Sequence, residues 1–135
     1  MTVVVDASVA LHWLFEQDGS DRAQAILGAE HPLIAPDLVL FEITNAAWRL
    51  AAANSVPLDA ASAAVALAPK QFDELVPAAA LTDRALAIAV ELRHPAYYCF
   101  YVALAEKRGC RLITADLRFL RRCIATRFAP LVTAL

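Results

Sequence analysis

Two patterns of apolar residues alternate along the chain. Short unbroken runs rich in β-branched residues, "TVVVDAS" near the start and "CRLITAD" at 110–116, have the form of strands buried on both faces of a parallel sheet. Longer stretches carry apolar residues at helical spacing. "SVALHWLFEQ" predicts a helical turn or more, and "SDRAQAILGA" a helix from Ser20 to near Gly28. After Pro36 and Asp37, which suit a helix start, "LVLFEITNAAWRLAAAN" continues as a long helix. "LDAASAAVALAPKQFDEL" predicts another, with Asp59 near its start and Pro69 disturbing its end. "LTDRALAIAVEL" follows, capped by Thr82, and then a helix opened by Pro95. "HPLIAPD" is a brief extended piece, "LVPA" a weak strand, and a short basic helix and the apolar "APLVTAL" close the chain. Helices alternating with short apolar strands predict an α/β domain with a mainly parallel central sheet. No repeat, long linker or low-complexity tail divides it, so residues 1–135 are expected to form one domain.

Composition narrows the class. Hydrophobic residues make up 60% and charged residues 19%, a balance that excludes disorder. No apolar run reaches the roughly 18 residues of a membrane span. The start of the chain has no basic lead-in and carries Asp6 inside its apolar run, unlike a signal peptide, so a cytoplasmic location without membrane contact is expected. Cys99, Cys110 and Cys123 match neither a zinc-site spacing nor a disulfide framework and are expected to be free thiols. The net charge of −2 hides an asymmetry: residues 1–83 hold three basic and eleven acidic residues, and residues 84–135 nine basic and three acidic. Within the basic part, "LRFLRR" offers Arg118, Arg121 and Arg122 as candidates for phosphate contact; the bland alternative is a solvated helix face.

The acids carry the chemistry. In open α/β sheets ligands sit at the carboxyl ends of the strands. Asp6 follows directly on the first strand and Asp116 on "RLITA", so both belong on that edge. A helix feeding a parallel strand starts on the same edge, which places the first turn of the Pro95 helix, with Tyr98, there too. Glu42, in the second turn after Pro36, joins them if its helix runs likewise. Converging carboxylates repel: at an effective dielectric of ~20, a pair ~4 Å apart costs about 4 kcal/mol. Oxygen-only ligands favour a hard cation such as Mg²⁺ or Mn²⁺ over zinc. Such an ion activates water and stabilises charge on a phosphoryl oxygen, the chemistry of phosphodiester hydrolysis. Each acid alone reads more readily as a helix cap or a solvated side chain. Asp6 and Glu42, however, sit inside the apolar stretches "VVVDASVAL" and "LVLFEITNAAW", where an ionised acid needs a partner.

These residues resemble the PIN-domain family, and within it the VapC-type toxins of toxin–antitoxin pairs. "VVVDASVALHWL" resembles the family's opening strand and first acid. "LVLFEITNAAWRL" resembles its second motif, an acid followed three residues later by Asn45, and "HPAYYCFYVALAEKRGCRLITADLRF" its third and fourth motifs joined. The resemblance implies a three-layer α/β/α fold and a Mg²⁺- or Mn²⁺-dependent endoribonuclease acting on RNA. Asp6, Glu42 and Asp116 would line the metal site, with Ser8, Asn45 and Thr114 as polar supports. It also implies a cognate small antitoxin, a homodimer, and operator DNA bound only through the antitoxin. The chain departs from the family where a third acid is expected and Tyr98 stands. A neutral phenol is a poor Mg²⁺ ligand. Glu106 lies roughly 12 Å further along the helix axis and is too distant to substitute. Arg118, two residues past Asp116, adds positive charge nearby. One ion held by three carboxylates, with weakened affinity, is the expectation, and a two-ion site is not. The alternative is a catalytically degenerate PIN domain that binds RNA or an antitoxin.

Other residues read as structural. His12, His31 and His94 lack metal partners by spacing. Trp13 and Trp48 lie on apolar helical faces and are expected in the core or an interface, and Tyr97, Phe100 and Tyr101 in the core. Cys99 has no His or Asn placed to activate it as a nucleophile. A phosphoacceptor domain would need further acids beside Asp6 and a late lysine, and a two-aspartate hydrolase would need an acid where Ser8 stands.

Overall fold

Strands β1 (Val3–Val5), β2 (Leu33–Pro36), β3 (Glu74–Val76), β4 (Arg111–Thr114) and β5 (Val132–Ala134) form one sheet in the order β3-β2-β1-β4-β5. Every adjacent pair is parallel, in a computed structural model that describes residues 1–135. β1 and β2 are buried along their whole length, which is why their sequences are apolar without alternation. The helices are α1 (Ala7–Leu14), α2 (Ser20–Leu27), α3 (Leu38–Ala52), α4 (Leu58–Leu67), α5 (Thr82–Leu92), α6 (Ala96–Arg108) and α7 (Leu117–Ile124). Right-handed crossovers put α1–α4 on one face of the sheet and α5–α7 on the other, giving three layers. Contacts agree: α1 packs on α2 and α3, α3 on α4, and α5 on α6, which crosses β1, β2 and β4.

This strand order fixes where a ligand can bind. From β1 the chain steps outwards through β2 to β3, then returns to the other side of β1 for β4 and β5. Between β1 and β4 the connections leave in opposite directions, opening a crevice beyond their carboxyl ends. The residues that follow these two strands are Asp6 and the Ala115–Asp116 pair.

Several local expectations need correction. The helix expected over "LDAASAAVALAPKQFDEL" ends at Leu67, because Pro69 sits in a 3₁₀ turn at Ala68–Gln71 and cannot continue the ladder. The weak strand expected at "LVPA" is present at Leu75 and Val76 but begins at Glu74, and it pairs with Ile34–Pro36 as an edge strand. Thr82 is the first residue of α5 and not its cap; its hydroxyl donates to the Ala79 carbonyl at 3.3 Å. In "APLVTAL" the segment Val132–Ala134 is strand β5. Gly109 ends α6 in the left-handed conformation (φ 61°), its N–H returning to the Ala105 and Glu106 carbonyls.

The three cysteines are free and buried. Trp13 is buried, its indole N–H donating to the Ala23 carbonyl at 2.7 Å, and Tyr101 is in the core. Trp48 and Tyr97 are not core residues, each being 64% exposed. The buried side of α3 is Val39, Ile43, Ala46 and Ala47, and the alanine-rich α4 is too slender to cover Trp48.

Candidate functional site

Four elements deliver side chains to the crevice. Asp6 leaves β1 and caps α1, its carboxylate accepting from the Val9 N–H at 3.3 Å. Asp116 leaves β4 and caps α7, accepting from the Phe119 N–H at 3.0 Å. α3 starts directly at the end of β2, so Glu42 and Asn45 in its second turn reach the same edge, followed by Arg49 at helical spacing. α6 runs down to β4 and therefore begins on this edge, presenting Tyr98 and Tyr101. Together these residues and Ser8 line a pocket of about 250 Å³.

Asp6 is the most constrained of them. The Ser8 and Thr114 hydroxyls each donate to it at 2.5 Å, one to each carboxylate oxygen. Those hydroxyls in turn accept from the Ala115 N–H at 2.8 Å and the Asp116 N–H at 3.0 Å. The backbone beyond β4 thus orients both hydroxyl protons towards Asp6. Burial nevertheless outweighs the donors and lifts the Asp6 carboxyl from 3.8 to about 6, with the Asp116 charge adding to the rise. Glu42 is lifted from 4.5 to about 7 by burial, partly offset by the Tyr101 hydroxyl that donates to it at 2.5 Å, and raised further by Asp6.

The elevated acids have no basic counter-ion. The three ion pairs of the chain, Arg84–Glu106, Arg108–Glu74 and Arg127–Glu91, all lie elsewhere. Arg49 is the one basic residue on the pocket wall, and it pairs with no carboxylate. Tyr98 adds an aromatic wall. Its hydroxyl is raised by burial first and then by Asp116, with Glu42 and Asp6 contributing, so it stays a neutral donor beside the acids.

Of the candidates singled out by the sequence, Asp6, Glu42, Asp116, Ser8, Asn45 and Tyr98 line this pocket. Thr114 lies fully buried beneath it. Glu106 is absent from it and holds Arg84. Arg118 does not line it either; with Arg121 and Arg122 it faces a separate basic pocket. Two contributors were missed. Arg49 is signalled by its distance of seven residues, two turns, from Glu42. Tyr101 is signalled only weakly, three residues beyond Tyr98 on an otherwise apolar helix.

The donor set suits a hard divalent cation. It is all oxygen, negative and unneutralised, and burial makes its charge costly until a cation shares it. As the side chains stand, no three acid, imidazole or thiol groups are close enough together to hold one metal ion. An ion here would therefore keep water in its shell, as Mg²⁺ commonly does.

Comparison with known proteins agrees with the fold. The model of the PIN domain matches residues 3–124. Ribonuclease VapC3 of Pyrobaculum aerophilum is 33% identical over 138 residues, spanning 98% of this chain and 99% of that protein. Ribonuclease VapC9 of Mycobacterium tuberculosis H37Rv is 37% identical over 116 residues, 86% of this chain and 87% of that one. The crystal structure of PAE2754 from Pyrobaculum aerophilum superposes with a TM-score of 0.73 at 25% identity, covering 98% of this chain and 83% of that chain.

Proposed function

This chain belongs to the PIN-domain family with VapC-type toxins as its relatives, and on that footing we propose that it is a divalent-metal-dependent endoribonuclease, the toxin of a toxin–antitoxin pair. The observation that carries the reading is the convergence of Asp6, Glu42 and Asp116 in one pocket without a basic ion-pair partner. Bound there, one Mg²⁺ or Mn²⁺ ion would activate water and stabilise charge on a phosphoryl oxygen. Asp6 and Asp116 at the two strand ends, with Glu42 on α3, would hold the ion. Ser8 and Thr114 keep both Asp6 oxygens in a fixed orientation. Tyr101 fixes the Oε1 of Glu42, and the burial that raises this carboxyl to about 7 makes its charge costly until an ion shares it. Asn45 and Arg49, further along the same face of α3, meet the polar and phosphate groups of the RNA strand.

Three further features belong to this proposal. A cytoplasmic site of action fits a chain in which no helix is long and apolar enough to cross a membrane. A small antitoxin and a second copy of the chain are the expected protein partners, supported by exposed Phe41, Trp48 and Leu58 on α3 and α4. Operator DNA would be reached through the antitoxin alone.

A second reading is favoured by Tyr98, a neutral phenol beside Asp116 where the resemblance calls for an acid. It makes the chain a PIN domain that binds RNA or its antitoxin without cleaving. Two measurements separate the readings: calorimetric titration of Mn²⁺, and cleavage of an RNA substrate with and without chelator, both with Asp6→Asn as control. Metal binding and metal-dependent cleavage that vanish in Asp6→Asn support the nuclease. A wild-type protein that takes up no Mn²⁺ and cuts no RNA supports the binder.

A further inference from the structure

A second pocket, of about 310 Å³, lies on the other side of Tyr98 and is lined by His94, Arg118, Arg121, Arg122 and Ala125. The three arginines fall three and four residues apart on α7, so they share one exposed face, opposite the buried Phe119 and Cys123. Like charges so placed repel one another unless something negative joins them. No carboxylate does: Arg84, Arg108 and Arg127 form ion pairs, and these three do not. Their planar forks match phosphate oxygens.

His94 supplies a second, independent observation. Its Nδ1 is buried with no hydrogen-bond partner, and its ring packs edge-on against Tyr98 at 4.7 Å and tilted against Phe119 at 5.2 Å. An orphaned buried N–H is costlier than a bare ring nitrogen, so the preferred tautomer carries its proton on Nε2. The ring's available group is then a donor, as an anion site requires.

The two pockets share a wall. Tyr98 lines the acidic pocket on one side and meets His94 on the other, while Asp116 both lines the acidic pocket and caps the helix that carries the arginines. We infer that His94, Arg118, Arg121 and Arg122 form a phosphate subsite for the RNA backbone, seating nucleotides next to the one held at the carboxylates. The inference rests on the ribonuclease reading for the identity of the ligand, but not on catalysis. An acidic segment of a protein partner fits the arginines less well, since it gives no reason for their adjoining the acidic pocket.

The test is binding of a labelled single-stranded oligoribonucleotide in chelator, measured across a salt series. Each phosphate contact on a single strand contributes about 0.7 to the slope of log K against log salt. The triple variant Arg118→Gln, Arg121→Gln, Arg122→Gln is expected to lower the magnitude of that slope by about 2. The pair Lys107→Gln, Arg111→Gln, at the opposite edge of the sheet, should leave it unchanged. His94→Phe keeps the aromatic packing without the donor and should weaken binding roughly 2- to 10-fold. An unchanged slope in the triple variant overturns the inference. So does a variant that loses affinity for polyglutamate while its RNA slope stays that of the wild type. Cleavage by the wild type with Mn²⁺ is scored separately: no cleavage together with a reduced slope in the variant fails the nuclease reading and supports the subsite. Cleavage together with an unchanged slope does the reverse.

Discussion

Replacing Asp6 by Asn should stabilise the metal-free protein at pH 8 and leave it nearly unchanged at pH 5. Burial, opposed by the Ser8, Thr114 and Val9 donors, raises the Asp6 carboxyl from 3.8 to about 6. At 1.36 kcal/mol per decade, that difference makes the folded carboxylate cost about 3 kcal/mol above pH 6. The sign follows from proton binding: between about pH 4 and 6 the folded chain holds a proton that the unfolded chain has released. Asp6 therefore supports the fold fully below about pH 4, and that support is lost as pH rises through about 6. Asparagine keeps the shape and accepts from Val9 and Ser8, but its amide NH2 cannot accept from the buried Thr114 hydroxyl, a loss of about 1–2 kcal/mol. The net gain at pH 8 is about 1–2 kcal/mol, or roughly 0.5–1 M in the urea midpoint for a slope near 2 kcal/mol/M. Urea unfolding in chelator at both pH values measures it. Manganese should reverse the order at pH 8, because the ion stabilises the carboxylate form and has less to bind in the variant. An Asn variant less stable than the wild type at pH 8 in chelator, by the same margin as at pH 5, would refute the claim that a buried unneutralised charge defines this site.

Three further outcomes follow from the same geometry. Mn²⁺ affinity should rise with pH from 5 to 8, because Asp6 near 6 and Glu42 near 7 must release protons to ligate; calorimetry in buffers of different ionisation enthalpy counts those protons. Tyr98→Asp should tighten Mn²⁺ binding and lower metal-free stability, since it adds a fourth acid and removes a ring packed on His94 and Phe119; unchanged affinity would sink the ligand argument. The thiols should resist a disulfide reagent at pH 8 until urea is added, because burial pushes Cys99 to about 11 and Cys123 to about 12 and also raises Cys110.

The positions of the acids were legible because each is tied to a feature that survives folding. Asp6 and Asp116 end apolar runs, and a parallel sheet leaves such residues on one edge. Glu42 follows from the direction of α3, which a single turn after β2 decides. What escaped the sequence depended on partners distant along the chain. Tyr101 lies in an apolar helix and shows its role only when Glu42, 59 residues away, comes within 2.5 Å. Glu74 sits after an alanine-rich helical run, and pairing with β2 overrides that local preference and starts the strand expected at "LVPA" one residue early. Trp48 had the spacing of a buried residue, but what lies opposite it is a helix of small side chains. Arg118 was expected beside the acids from its two-residue distance to Asp116, yet one helical step turned it into the neighbouring pocket.

Tyr98 links the two pockets, and a neutral residue at this point has a physical sense. A fourth carboxylate at this point would face Asp116, Asp6 and Glu42, and each close pair costs on the order of 4 kcal/mol at an effective dielectric of ~20. The phenol removes that repulsion and packs its ring 5.0 Å from Phe119 and 4.7 Å from His94. The same ring separates negative carboxylates from positive arginines, which would otherwise neutralise each other across a thin wall. Charge opposition is thereby kept for a ligand that carries both features the pockets ask for: a cation for the acids and a phosphate for the arginines. A polyanionic strand accompanied by a divalent ion meets both demands at once. On this argument Tyr98→Asp should change Mn²⁺ affinity more than it changes RNA affinity.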